Sequence, residues 1–237
     1  GGVVPVVYFL FPSTKNLHLG KTRFNGLTLA KVCANGSSEM VSSVSTSFVG
    51  MLFNHQLIKY FGNSGVASYG VLMYVGFIMM AIFIGYSMGV SPVISYNYGA
   101  KNNDELHNLF LKSLKLIGTV SLFLTILFEL ASPVLTKIFT GYDLNLYNQT
   151  LVAFRIFTIN FIFAGFNMFG SGFFTALNNG KISAFLSFFR VLIVQTVFIF
   201  VFPVLFGAEG LWWVSFGVET VCFAVTLSFW IRYKKVY

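Results

Sequence analysis

The 237-residue chain is 56% hydrophobic and 9% charged, with a mean hydropathy of +0.78. A soluble domain carries about 25% charged residues, so the composition excludes a soluble enzyme or binding module. It describes an all-α membrane protein with room for about six spans of roughly 20 residues each and short loops. The formal net charge of +8 does not mark a nucleic-acid binder, because the basic residues lie mainly in alternating loops rather than on one patch.

Residues 1–11, GGVVPVVYFLF, are apolar but about half as long as a span requires, and they read as the end of a transmembrane helix that begins upstream. Residues 12–31 contain Lys15, His18, Lys21, Arg23 and Lys31 and no acid, the composition of a cytoplasmic connector. Residues 32–237 then carry six predicted spans. The first runs from Val32 to Ile58. Glu39, Ser43, Thr46, Gly50 and Asn54 recur in it at steps of four, three, four and four, which puts them on one helix face. An intramembrane carboxylate is costly and turns to a bundle interior or to water, so Glu39 is the leading candidate for a cation or proton site.

Gly62-Asn63-Ser64-Gly65 is a tight turn, and the second span covers Val66 to Ile94 with Pro92 inside it. A polar loop follows, with Asn103 or Asp104 as the expected cap of the next helix. Leu106 to Lys115 reads as partly interfacial, and the third span continues from Leu116 to Ile138, broken near Pro133. The fourth span is expected unbroken over Leu151 to Leu177, the fifth over Ile182 to Phe206 and the sixth over Leu211 to Ile231. Aromatic residues at both ends of the sixth, Trp212 and Trp213, then Trp230 and Tyr233, suit the two membrane interfaces.

The loops on one side hold Lys15, Lys21, Arg23, Lys31, Lys101, Lys112, Lys115, Lys181, Arg232, Lys234 and Lys235, and those on the other hold Lys59 and Lys137. Eleven against two predicts that both ends of the chain are cytoplasmic.

The remaining intramembrane polar residues have two readings each. Arg190 is expected to pair with Glu39, which lies at a similar depth, or else to snorkel to the inner interface. Glu129 and Arg155 are expected to neutralise each other as a structural pair. Glu219 lies near mid-span without an evident partner, which makes it an accessory candidate for cation or substrate binding. Asn160 and Asn167 join Ser43, Thr46 and Asn54 as candidates to line a cavity, although hydrogen bonding between helices is the commoner use of such side chains. His18, His55 and His107 are scattered and show no metal-ligand spacing. Cys33 and Cys222 fit neither a disulfide framework nor a metal site. With no Asp in a span and no deeply placed His, the chain reads as a non-enzyme, with no cofactor and no metal centre.

Five segments carry a resemblance: NGSSE at 35–39, GYSMGVSP at 85–92, SYNYGAKN at 95–102, FFTALNNGK at 173–181 and GAEGLWW at 207–213. In this order they resemble the multidrug and toxic compound extrusion transporters. The resemblance implies a twelve-span protein in two six-helix lobes, of which this chain corresponds to the second, C-terminal lobe together with the connector before it. It implies a missing N-terminal lobe as partner, a multi-pass protein of the plasma membrane surrounded by lipid, and small organic cations as substrates. The implied activity is secondary active antiport by alternating access, with Na⁺ or H⁺ as coupling ion and Glu39 in the position of the family's first-helix carboxylate. Some members have a further acid in the fourth helix of this lobe. Here residues 151–177 contain none, so a coupling scheme that needs it has no group to use. Two other functions remain open at this point: a lipid-linked oligosaccharide flippase of related fold, in which Arg155 and Arg190 would matter more, and a membrane assembly protein that transports nothing.

Overall fold

The computed structural model describes residues 25–233, without the side chains of residue 28 and residues 30–43. The expected helix end at 1–11 and most of the connector therefore lie outside the described residues. Two compact units are distinguished, Gly1–Met40 and Val41–Tyr237. In the first, residues 26–40 are helical, and the Asn25 side chain accepts a hydrogen bond from the Leu27 amide at 3.1 Å.

Helix α1 (Gly26–Gly99) is interrupted at Gly62, where φ is +66° and ψ is −154°. That left-handed backbone is open to glycine at little cost, and it reverses the chain. Phe53 and Tyr69 show the reversal: their ring centroids are 4.7 Å apart, whereas an uninterrupted helix would separate residues sixteen apart by about 24 Å. The turn expected at residues 62–65 is thus made at Gly62, and Ser64 Oγ closes it by donating to the Phe61 carbonyl at 2.8 Å.

Helix α2 (Asn103–Thr140) is one continuous element that runs through Pro133, where a break was expected. Leu106, Phe110, Ser113, Ile117, Ser121 and Leu124 are buried, at steps of four, three, four, four and three, so a single face packs throughout. Its cap is Asn102, whose side chain accepts from the Glu105 amide at 3.3 Å, one residue ahead of the expected pair. Asp104 and Glu105 then lie in the first turn and Lys137 in the last, each placed favourably for the helix dipole.

Helices α3 (Leu144–Ile159) and α4 (Phe161–Ala176) replace the single fourth span expected from sequence. They meet at Asn160 with a bend of 45°. Asn160 Nδ2 donates to the Phe157 carbonyl at 2.6 Å, and a side chain that competes for the helix's own acceptors disrupts the ladder. Helix α5 (Gly180–Phe188) continues through a π-helical turn (Phe189–Val194) into α6 (Gln195–Phe206). Gly207, with φ +70°, turns the chain into α7 (Gly210–Arg232).

Length and hydropathy mark Val44–Gly99, Asn103–Thr140, Gly180–Phe206 and Gly210–Arg232 as membrane-crossing, with the bent α3–α4 pair as a further span. The break at Gly62 divides the first of these into two arms, giving the six-helix bundle. The core lies around α4, where Phe161, Phe169, Phe173 and Phe174 are fully buried. Phe110 of α2 meets Phe173 at 5.0 Å and Trp230 of α7 at 5.3 Å. Gly165 lets the second arm of α1 approach, since a Cβ there would lie 2.6 Å from Phe83 Cε1.

Candidate functional site: a buried polar network between α4, α5 and α7

The π-helical turn holds one extra residue relative to an α-helix of the same rise, and such bulges occur at functional sites. Arg190 is its second residue. Its Nη1 lies 3.4 Å from Glu219 Oε1 on α7, with side-chain exposures of 19% and 9%. Asn167 of α4 completes the arrangement. Its Nδ2 donates to Glu219 Oε2 at 2.7 Å and to the Glu219 carbonyl at 2.9 Å, while its Oδ1 accepts from Thr226 Oγ1 at 3.1 Å. Every atom of the amide that can bond is in use, which fixes its orientation.

A row of hydroxyls leads away from this centre along the α4–α5 contact. Ser171 Oγ lies 2.8 Å from Ser187 Oγ and 2.9 Å from Ser183 Oγ, and Ser183 Oγ lies 2.7 Å from Thr175 Oγ1. Thr175 is exposed at the far end. Between the row and the ion pair is a cavity of about 20 Å³ lined by Asn167, Ser171, Ser187, Arg190, Cys222 and Thr226. One water needs about 10–15 Å³ and two to four polar partners, so this cavity suits a single water.

The expected partner of Arg190 was Glu39, and Glu219 was expected to have none. Among the described residues Arg190 instead meets Glu219. The Glu39 and Ser43 side chains lie outside the described residues. Thr46 is exposed, Gly50 faces open space, and Asn54 is half-buried with Oδ1 unbonded among the described residues. These three lie to one side of the buried stripe of Val49, Phe53 and Leu57. Arg155 Nε and Glu129 Oε1 lie 3.4 Å apart with exposures of 54% and 40%, and Thr158 donates to Glu129 Oε2 at 2.8 Å. Asn160 is buried, and its Nδ2 is bonded within its own turn. Ser171, Ser183, Ser187 and Thr226 were not singled out from sequence. The four-residue spacings Ser171/Thr175 and Ser183/Ser187 on successive spans were the available signal.

Among the described residues no three His, Cys, Asp or Glu side chains converge on a metal position. Chemically the network can hold Glu219 as an anion balanced by a cation of the protein itself, with a polar cavity for one water beside them.

Comparison with known proteins extends this picture. A family model described as MatE matches residues 40–201, more than half of the chain. The multidrug export protein MepA of Staphylococcus aureus strain MSSA476 is 24% identical over 220 residues, covering 92% of this chain and 48% of that protein. The chain thus spans about half the length of the curated relatives it matches. An outward-facing structure of a multidrug resistance MATE family transporter of the MOP superfamily superposes with a TM-score of 0.85 at 20% identity, over 99% of this chain and 53% of that one. A MOP superfamily transporter from Pyrococcus furiosus, whose description reports reversed polarity of its binding pocket, gives 0.83 at 20% identity over 98% and 53%. At these identities the structures establish the shared fold, and the family match establishes membership: this six-helix, multi-pass membrane chain belongs to the MatE family.

Proposed function

We propose that the chain is the second half of a secondary active antiporter that exports small organic cations in exchange for Na⁺ or H⁺. One observation carries this reading. A six-helix unit with a sequence match to a multidrug export protein covers about half of that protein and superposes on about half of a multidrug transporter. Alternating access of two such halves is then the expected mechanism, with the coupling ion favouring one of the two openings. In this reading the coupling charge is Glu39, with Ser43, Thr46 and Asn54 as accessory groups. Glu219 is committed to Arg190 and Asn167, and Glu129 to Arg155 and Thr158. The excess of Lys and Arg in one set of loops supports a plasma-membrane orientation with both ends of the chain cytoplasmic.

The test is ethidium efflux from vesicles carrying the product of the full gene, with a Na⁺ or an H⁺ gradient imposed in turn. Efflux driven by one of the gradients is expected. Vesicles that contain folded protein and release no ethidium under either gradient would overturn the reading.

A further inference from the structure

A groove between α6 and α7, beside the Gly207 turn, takes no part in the polar network. Phe198, Phe202 and Phe206 enter it from α6 at steps of four, Trp213 and Phe216 from α7, and Glu209 sits at its end. Its volume is about 520 Å³, within the roughly 300–1,000 Å³ typical of small-molecule sites. Gly217 makes it possible, since a Cβ there would lie 2.6 Å from Phe202 Cζ and 2.9 Å from Phe198 Cε2. The two rings instead lie against the bare backbone and stack at 4.5 Å. Phe202 with Phe206 and Trp213 with Phe216 meet edge to face, at 5.4 Å and 5.8 Å. Aromatic rings from both helices therefore wall the groove.

Glu209 is exposed, is the one charged residue of this lining, and forms no ion pair with any described residue. A carboxylate in an aromatic-lined groove favours positive charge by direct attraction, and a cation over a ring face gains from the ring quadrupole as well. An anion is repelled by both. A neutral apolar chain would fill the volume but gain nothing from the carboxylate.

We propose that the α6–α7 groove binds a lipophilic organic cation with an aromatic body, enclosing the body between the Phe and Trp rings and pairing its charge with Glu209. The class of ligand rests on the export reading above. The site itself rests on the groove, its rings and its exposed carboxylate.

The test titrates ethidium into the purified full-length protein in phosphatidylcholine nanodiscs. Binding is read as energy transfer from Trp213, taken as the signal lost in Trp213→Phe. Glu209→Gln should weaken binding roughly tenfold, and Glu209→Asp should retain most of it. Thr220→Trp, built from an exposed residue on the rim, should abolish the signal by filling the groove without disturbing the stacked rings. The neutral probe N-phenyl-1-naphthylamine should bind the wild type and Glu209→Gln alike. Glu209→Gln binding ethidium within about twofold of wild type, or folded Thr220→Trp keeping the signal, would overturn the proposal in favour of a groove for lipid chains. Failure of the export reading looks different: binding that depends on Glu209 without efflux under either gradient sinks export and leaves the site standing, and efflux with binding indifferent to Glu209 does the reverse.

Discussion

The two intramembrane ion pairs have the same separation, 3.4 Å, and opposite surroundings. Arg190–Glu219 is enclosed between α5, α7 and the Asn167 amide, with exposures of 19% and 9%, while Arg155–Glu129 lies open at 54% and 40%. Distance therefore says little about what each contributes. An enclosed charge that loses its partner has nowhere to be solvated, whereas an exposed Arg can swing along its aliphatic stem toward a polar region.

The sharpest way to break this contrast is to remove one charge from the enclosed pair. Glu219→Gln should destabilise the protein by about 3–5 kcal/mol, read as thermal unfolding of the purified protein in nanodiscs. The double change Arg190→Met with Glu219→Leu should recover most of that loss, because no charge is then stranded. A double variant as unstable as the single would mean that the pair holds the helices together by attraction alone. Packing supplies the next effect in size. Gly165→Val would push into the Phe83 ring and Ser121 Oγ, the latter 2.9 Å from the new Cβ, and should cost about 1–3 kcal/mol in the same assay. Ser171→Ala removes the hydroxyl that links Ser187 to Ser183, and a loss on the order of 1 kcal/mol is expected, as for single hydrogen bonds between helices. Glu129→Gln should be the mildest, about 1 kcal/mol or less. If Glu129→Gln were as damaging as Glu219→Gln, burial would not be what separates the pairs.

Sequence made the bundle legible, since turns at Gly62 and Gly207 and the long apolar runs fix where helices begin and end. It gave no warning that Asn160 breaks a span, because an Asn among apolar residues reads the same whether it bonds across to a neighbour or back to its own turn. The partner of Arg190 was equally out of reach. Depth along a helix follows from residue count at about 1.5 Å per residue, and depth alone ranked Glu39 as a suitable partner. Which residues face each other depends also on rotation about the helix axis, and the π-helical turn at Phe189–Val194 alters that rotation at the position that matters. The Asn167 link to Glu219 spans 52 residues of chain, and no local pattern encodes it. The aromatic groove shows the same limit, as the phenylalanines of α6 repeat at steps of four while the glycine that lets them stack lies on another helix.

Ethidium efflux from vesicles decides most directly which carboxylate is coupled to transport, using two variants side by side. With Glu39→Gln we expect efflux to be lost. With Arg190→Met and Glu219→Leu together, in folded protein, we expect it to persist. Normal efflux in Glu39→Gln combined with its loss in the double variant would place the coupling charge in the enclosed pair and contradict the assignment to α1.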